Sequence, residues 1–115
     1  MPDSVPEIPK LNTLPEDHAA TIAGQVVATV NAYNRTLNLD QEVGLMLTSF
    51  GQTVTVNIAK VGYIGANLII FKGFLTGNNA PVELIQHVSQ LNFLLVSLKR
   101  DVPHEEKKQV GFLSG

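Results

Sequence analysis

Glu83, Gln86, His87 and Gln90 fall within one short stretch, PVELIQHVSQLNFLLVSLKR (81–100). On a helix they would share one side, with Ser97 continuing the row. Amides and an imidazole on one face can read hydroxyls or base edges, because each offers donors and acceptors. A solvated helix face is the plainer account of the same row. Asn92 lies apart, between Leu91 and Phe93 in an apolar half, and a buried amide must find hydrogen bonds. It would bond backbone or its own copy across a symmetry axis, fixing register; otherwise it would contact a ligand. Lys99 and Arg100 close the stretch, where cations suit a helix C-terminus. Arg100 could instead meet a phosphate. Tyr63 is the candidate stacking ring. With Lys60, Lys72, Arg35 and Phe71 it would line an anionic-ligand pocket, base on ring and phosphate on cation.

Other chemistry is missing. His18, His87 and His104 have no metal-pair spacing, and the chain holds no cysteine. No serine lies in a nucleophile-elbow sequence. The glycines of GYIGANLIIFKG match neither a phosphate loop nor a dinucleotide fingerprint, and turns or bulges explain them. Asp40 and Glu42 read as capping and solubilising acids. The expectation is a protein that is not an enzyme, with no cofactor and no metal. An unfamiliar acid–base site at Glu83 and His87 is the competing enzymatic reading.

These residues need elements to position them. Thr13 and Glu16 have capping-box spacing, with Pro15 in the first turn. Ala19, Ile22, Ala23, Val26, Val27, Val30, Tyr33 and Leu37 then recur at helical steps, with Asp17, Thr21, Gln25, Asn31 and Arg35 opposite. That predicts a helix ending near 34–38. Strand patterns follow: 42–50, then 53–59 across a Gly51-Gln52 hairpin, a short third strand at 61–65, and a fourth at 67–76. Pro81 and Glu83 predict the start of a second helix, with Asn79 or Ala80 as cap. Leu84, Val88, Leu91, Leu95 and Leu98 would form its core stripe, and Asp101 and Pro103 would stop it. The predicted fold is α+β: an N-terminal helix, a four-stranded antiparallel meander, and a C-terminal helix packed on the sheet. It divides into a proline-containing arm (1–12), a single domain (13–102) and a tail (103–115). Within the tail QVGFL reads either as loose chain or as an edge strand.

The second half of the predicted C-terminal helix is apolar almost all round, so it needs cover on two sides. The expectation is that the first helix supplies part of that cover and a second copy of the chain the rest, through Phe93, Leu94 and Val96; the alternative is a monomer in which the first helix and the arm cover everything. Composition agrees in direction: 44% of the 115 residues are hydrophobic and 16% charged, below the usual ~25% charged. The net charge of −2 supplies no basic field for DNA or RNA. No apolar run spans a membrane and no leader pattern is present, so the expectation is a cytoplasmic protein.

The segments EVGLMLTSFGQTVTV, GYIGANLIIFKGF and PVELIQHVSQLNFLLVSLKR resemble an uncharacterised family of short bacterial and phage domains, over roughly residues 42–100. That resemblance implies no activity and transfers no functional residue. In size, architecture and absent catalytic groups the chain also looks like phage anti-defence sponges, which hold cyclic nucleotide-like signals between subunits; this is analogy without a motif. The expected function is a non-enzymatic homo-oligomeric binding protein, a phage or prophage accessory factor. It would sequester a small anionic, nucleotide-like signal at a subunit interface through Tyr63, Gln86, His87, Gln90, Asn92 and Arg100. The alternative is an adaptor or chaperone-like module that binds a protein partner through the C-terminal helix.

Overall fold

A computed structural model describes residues 18–49, 51–100 and 106–113. The arm and the predicted capping box at 13–16 lie outside them. Helix α1 (His18–Arg35) runs where the apolar stripe predicts. Ala19, Ala23 and Val30 are fully covered, and these small side chains let the helix lie close against the sheet. Lys107 closes its C-terminus from far along the chain, its ammonium donating to the carbonyls of Asn34 (2.8 Å), Leu37 (3.2 Å) and Asn38 (3.3 Å). These carbonyls cluster at and just beyond the helix end, where a cation is favoured.

The strands are β1 (Gln41–Ser49), β2 (Gln52–Ile64), β3 (Leu68–Leu75), β4 (Pro81–His87), β5 (Leu94–Lys99) and β6 (Gly111–Leu113). The spatial order is β4-β3-β2-β1-β5, all antiparallel, and β6 joins β2 in parallel. Gly51 (φ 78°) supplies the positive φ of the first hairpin, which closes on the Ser49–Gln52 pair. The two strands predicted at 53–59 and 61–65 are one 13-residue strand, β2, interrupted by a bulge between Ile58 and Lys60. The bulge explains why the alternation breaks there. Gly73 sits opposite it; a Cβ there would collide with the carbonyl oxygen of Asn57.

The predicted C-terminal helix does not exist. Residues 81–100 are two strands, β4 and β5, joined through a short 3-10 turn at Val88–Gln90. With two predicted strands merged into β2, and β4, β5 and β6 added, the sheet has six strands rather than four. The physical reason lies in the pattern itself. Val82, Leu84 and Gln86 alternate inward along β4, and Phe93 and Leu95 turn toward the core while Leu94 faces out. A strand with apolar residues on both faces resembles an all-round apolar helix, and short apolar runs do not separate the two by period. Asn79 does not cap a helix either; with φ 59° it completes the β3–β4 turn, beside Gly77 at φ 101°.

β4 and β5 are neighbours in sequence but lie at opposite borders of the sheet. Laid flat, the register would hold His87 and Leu94 about 33 Å apart: four strand spacings of about 4.8 Å across and about eight residues of about 3.3 Å along. Seven residue steps reach about 25 Å at most. The sheet must coil to bring its borders together, and the connection crosses its concave side. There Phe93 meets Phe71 edge to face, with centroids 5.3 Å apart, and lies beside α1. Helix and crossover together close one face, over a core of Val43, Leu45, Val56, Ile58, Val61, Ile69 and Phe71.

Two asparagines hold the place where the sheet splits. β1 pairs with β2 only from Leu45 to Ser49, and β6 takes the vacated edge of β2 at Lys60–Gly62. In the gap, Val43 N–H donates to Asn34 Oδ1 (3.1 Å). Asn31 donates to the carbonyl of Val110 (3.0 Å) and accepts from its N–H (2.8 Å). Both asparagines are buried, so these bonds satisfy backbone that the ladder leaves unpaired. Asn31, assigned to the polar side of the helix by sequence, is instead one of its covered residues. Leu113 crosses Gly62, where a Cβ would collide with it.

Candidate functional site

The predicted ligand residues do not converge. Tyr63, Ile69 and Gln86 form one row across β2, β3 and β4 on the helix side. Tyr63 is half-buried there, with its ring tilted against Phe112 (centroids 6.1 Å). Gln86 is half-buried, and its Oε1 is a buried side-chain oxygen with no hydrogen-bond partner. His87 points to solvent; its Nδ1 accepts from Ser89 N–H (3.1 Å), which caps the 3-10 turn. Gln90 and Asn92 are exposed in the crossover. Arg100 is buried at the other border, donating to the carbonyl of Leu39 (2.6 Å). The predicted anionic pocket is not assembled: Phe71 is a core residue facing the helix, whereas the register places Lys60 and Lys72 on the opposite face.

The interface candidates separate in the same way. Phe93 is sheltered by Phe71. Leu94 and Val96 share the helix-free face, because their β1 partners Met46 and Gly44 alternate with the inward Val43, Leu45 and Leu47. That face carries large apolar groups in water: Leu94 is 62% exposed, Ile85 49%, Ile64 43% and Phe74 42%. They group as one island near the β2–β3 turn, where Ile64 and Ile85 flank Ile70, and a strip along β5 of Met46, Leu94, Val96 and Leu98, with Phe74 between them. Leu98 folds over Gly44, which has no side chain to obstruct it.

Two of the hollows on or beside this face are lined by charged side chains. In one, of about 310 Å3, Asn57 donates to the Glu42 carboxylate (2.6 Å) across the split between β1 and β2, with Thr76, Asn79 and Lys99 at its walls. In the other, of about 390 Å3, Lys60 and Lys72 stand directly opposite one another at the β2 bulge, beside Phe74 and Pro81. Glu83 lies 3.5 Å from Lys72 and offsets one of the two charges. Like charges in direct cross-strand register are unfavourable unless compensated. Sequence reading named both lysines but could not pair them, because the register depends on the bulge.

Among the described residues no group of three or more histidine, aspartate or glutamate side chains could hold a metal, and no helix is long and apolar enough to cross a membrane. The fold is thus a small α+β domain: one helix on one side of a coiled sheet, the other side left open by the described residues. The chain belongs to a family of unknown function (DUF6173), whose model matches residues 12–113. No curated protein and no solved structure matches the chain significantly.

Proposed function

We propose that the chain is a non-enzymatic interaction domain that engages a protein partner through the helix-free side of its sheet. One observation carries this reading: Ile64, Phe74, Ile85 and Leu94 stand exposed on that side, while the side carrying α1 and the crossover exposes one such group, Phe112 at the β6 border. Exposed apolar groups gathered on one face mark interaction surfaces. The working element is the sheet rather than the C-terminal helix expected from sequence. A photo-crosslinking residue at Ile85, compared with one at the exposed helix position Ala28, tests it in cells of the native host. Protein adducts at Ile85 and none at Ala28 are expected. Equal labelling at both, or none at Ile85, overturns it.

A second reading has its own support in the Lys60–Lys72 pair. It keeps the small anionic, nucleotide-like ligand expected from sequence and moves it to the hollow beside Phe74, where a planar ring could stack while the lysines meet its charge. Thermal shift with inorganic phosphate, mononucleotides and cyclic dinucleotides tests it. A shift that disappears in Lys60→Gln/Lys72→Gln supports it, and no shift with any of these probes removes it.

A further inference from the structure

We infer that two copies of the chain join edge to edge through β5, antiparallel, about a two-fold axis at Val96. This rests on reading the open side of the sheet as a binding surface, and it names the partner as a second copy.

The argument begins with one hydrogen bond. Arg100 N–H donates to the carbonyl of Asp40 (2.9 Å). Bonded residues alternate along an antiparallel ladder, so Leu98–Glu42, Val96–Gly44 and Leu94–Met46 are the pairs that exchange bonds with β1. The N–H and C=O groups of Leu95, Ser97 and Lys99 therefore point away from β1. Among the described residues no strand pairs with that border. Edge strands are normally guarded by charge or proline. β4, at the other border, carries Pro81 and Glu83. β5 reads LLVSLK and is uncharged until Lys99.

A second copy fits this border better than other strands because the register can be self-complementary. Pairing must set residues of one face against residues of the same face. An axis at Val96 does so along the strand: Leu94 of each copy lies opposite Leu98 of the other, Leu95 opposite Ser97, and Val96 opposite itself. An axis at Ser97 would set Leu94 against Arg100, which is buried and bonded to Leu39. An axis at Leu95 would leave Leu98 beyond the paired segment. With the axis at Val96, the apolar strips of Met46, Leu94, Val96 and Leu98 meet at the seam as one patch. A seam this short falls at the small end of specific interfaces, so the dimer is concentration-dependent.

The absence of native cysteine makes the test clean. Val96 would be a non-hydrogen-bonded pair with itself, with Cα atoms about 4.5 Å apart, within disulfide range. In Leu94→Cys the two thiols would lie about 13 Å apart along the seam, by strand rise. Under mild oxidation Val96→Cys is expected to give covalent dimer and Leu94→Cys almost none. Ser97→Pro removes only an outward N–H, a place where edge strands accept proline. It is expected to lower the solution mass to that of a monomer while circular dichroism and Tm persist. A wild-type monomer at every concentration by light scattering, equal cross-linking of both thiol variants, or a dimer that survives Ser97→Pro would each overturn the pairing. If the wild type is monomeric while the Ile85 probe still captures another protein, the interaction reading stands and the self-pairing alone falls.

Discussion

On the covered side of the sheet, Asn31 and Asn34 satisfy backbone groups that the ladder leaves unpaired, and Lys107 gathers three carbonyls at the end of α1. On the open side, Leu94 and Ile85 stand in water with no such structure around them. The difference shows where stability and binding reside. Polar side chains on the covered side hold the split sheet together, so changing them should destabilise the domain. Apolar side chains on the open side contribute little to the isolated fold, so changing them should alter association instead.

Asn31→Leu should break that division most severely on the stability side. It orphans both the N–H and the C=O of buried Val110, and a loss of about 3 kcal/mol in urea denaturation is expected. Asn34→Ala orphans only the Val43 N–H and should cost about 1–2 kcal/mol by the same measurement. Lys107→Ala uncaps α1 at a partly exposed site, for about 1 kcal/mol. On the other side, Leu94→Ser should stay within about 0.5 kcal/mol of wild type, as exposed substitutions usually do, yet reduce the mass seen in light scattering. A large stability loss there would show that the open side belongs to the fold. Gln86→Leu should have the smallest effect: it replaces a buried, unpaired oxygen on the covered side and should leave stability in urea denaturation unchanged or raise it by a few tenths of a kcal/mol.

Legibility in the sequence followed the range of the interactions. α1 was readable because its stripe depends only on residues three and four apart, and each stripe residue is at least partly covered. β1, the first half of β2 and β3 were readable from alternation and from Gly51, Gly65 and Gly77, which all take positive φ. Residues 81–100 break the helical expectation because Leu84, Val88, Leu91 and Leu95 keep a helical rhythm, yet pack against the core from β4, the 3-10 turn, the crossover and β5 in turn. Only Leu98, on the opposite face, belongs to the helical version alone. The partner that decides between them, β1, lies about fifty residues away in the chain, beyond any local pattern. Asn31 was misplaced for a similar reason: Val110, its partner, is 79 residues distant. Of the expected interface residues, Leu94 and Val96 fall on the open side and Phe93 on the covered side, because a two-sided apolar strand raises the same demand for cover as the helix it imitates. The site was less legible than the fold. The six proposed ligand residues are spread over β2, both borders and the crossover, and the Lys60–Lys72 juxtaposition depends on a bulge that no sequence spacing announces.

The crossing of residues 88–93 also sets an order of assembly. β1 is synthesised early, yet the strand that covers its outer border comes from residues 94–99, after the chain has returned across the whole sheet. Distant pairings of this kind close slowly. During synthesis β1 waits with an open border, while β2, β3 and β4 can zip in turn as neighbouring hairpins. A nascent chain halted before Leu94 would therefore expose β1 to any strand at hand, and such intermediates are prone to aggregate.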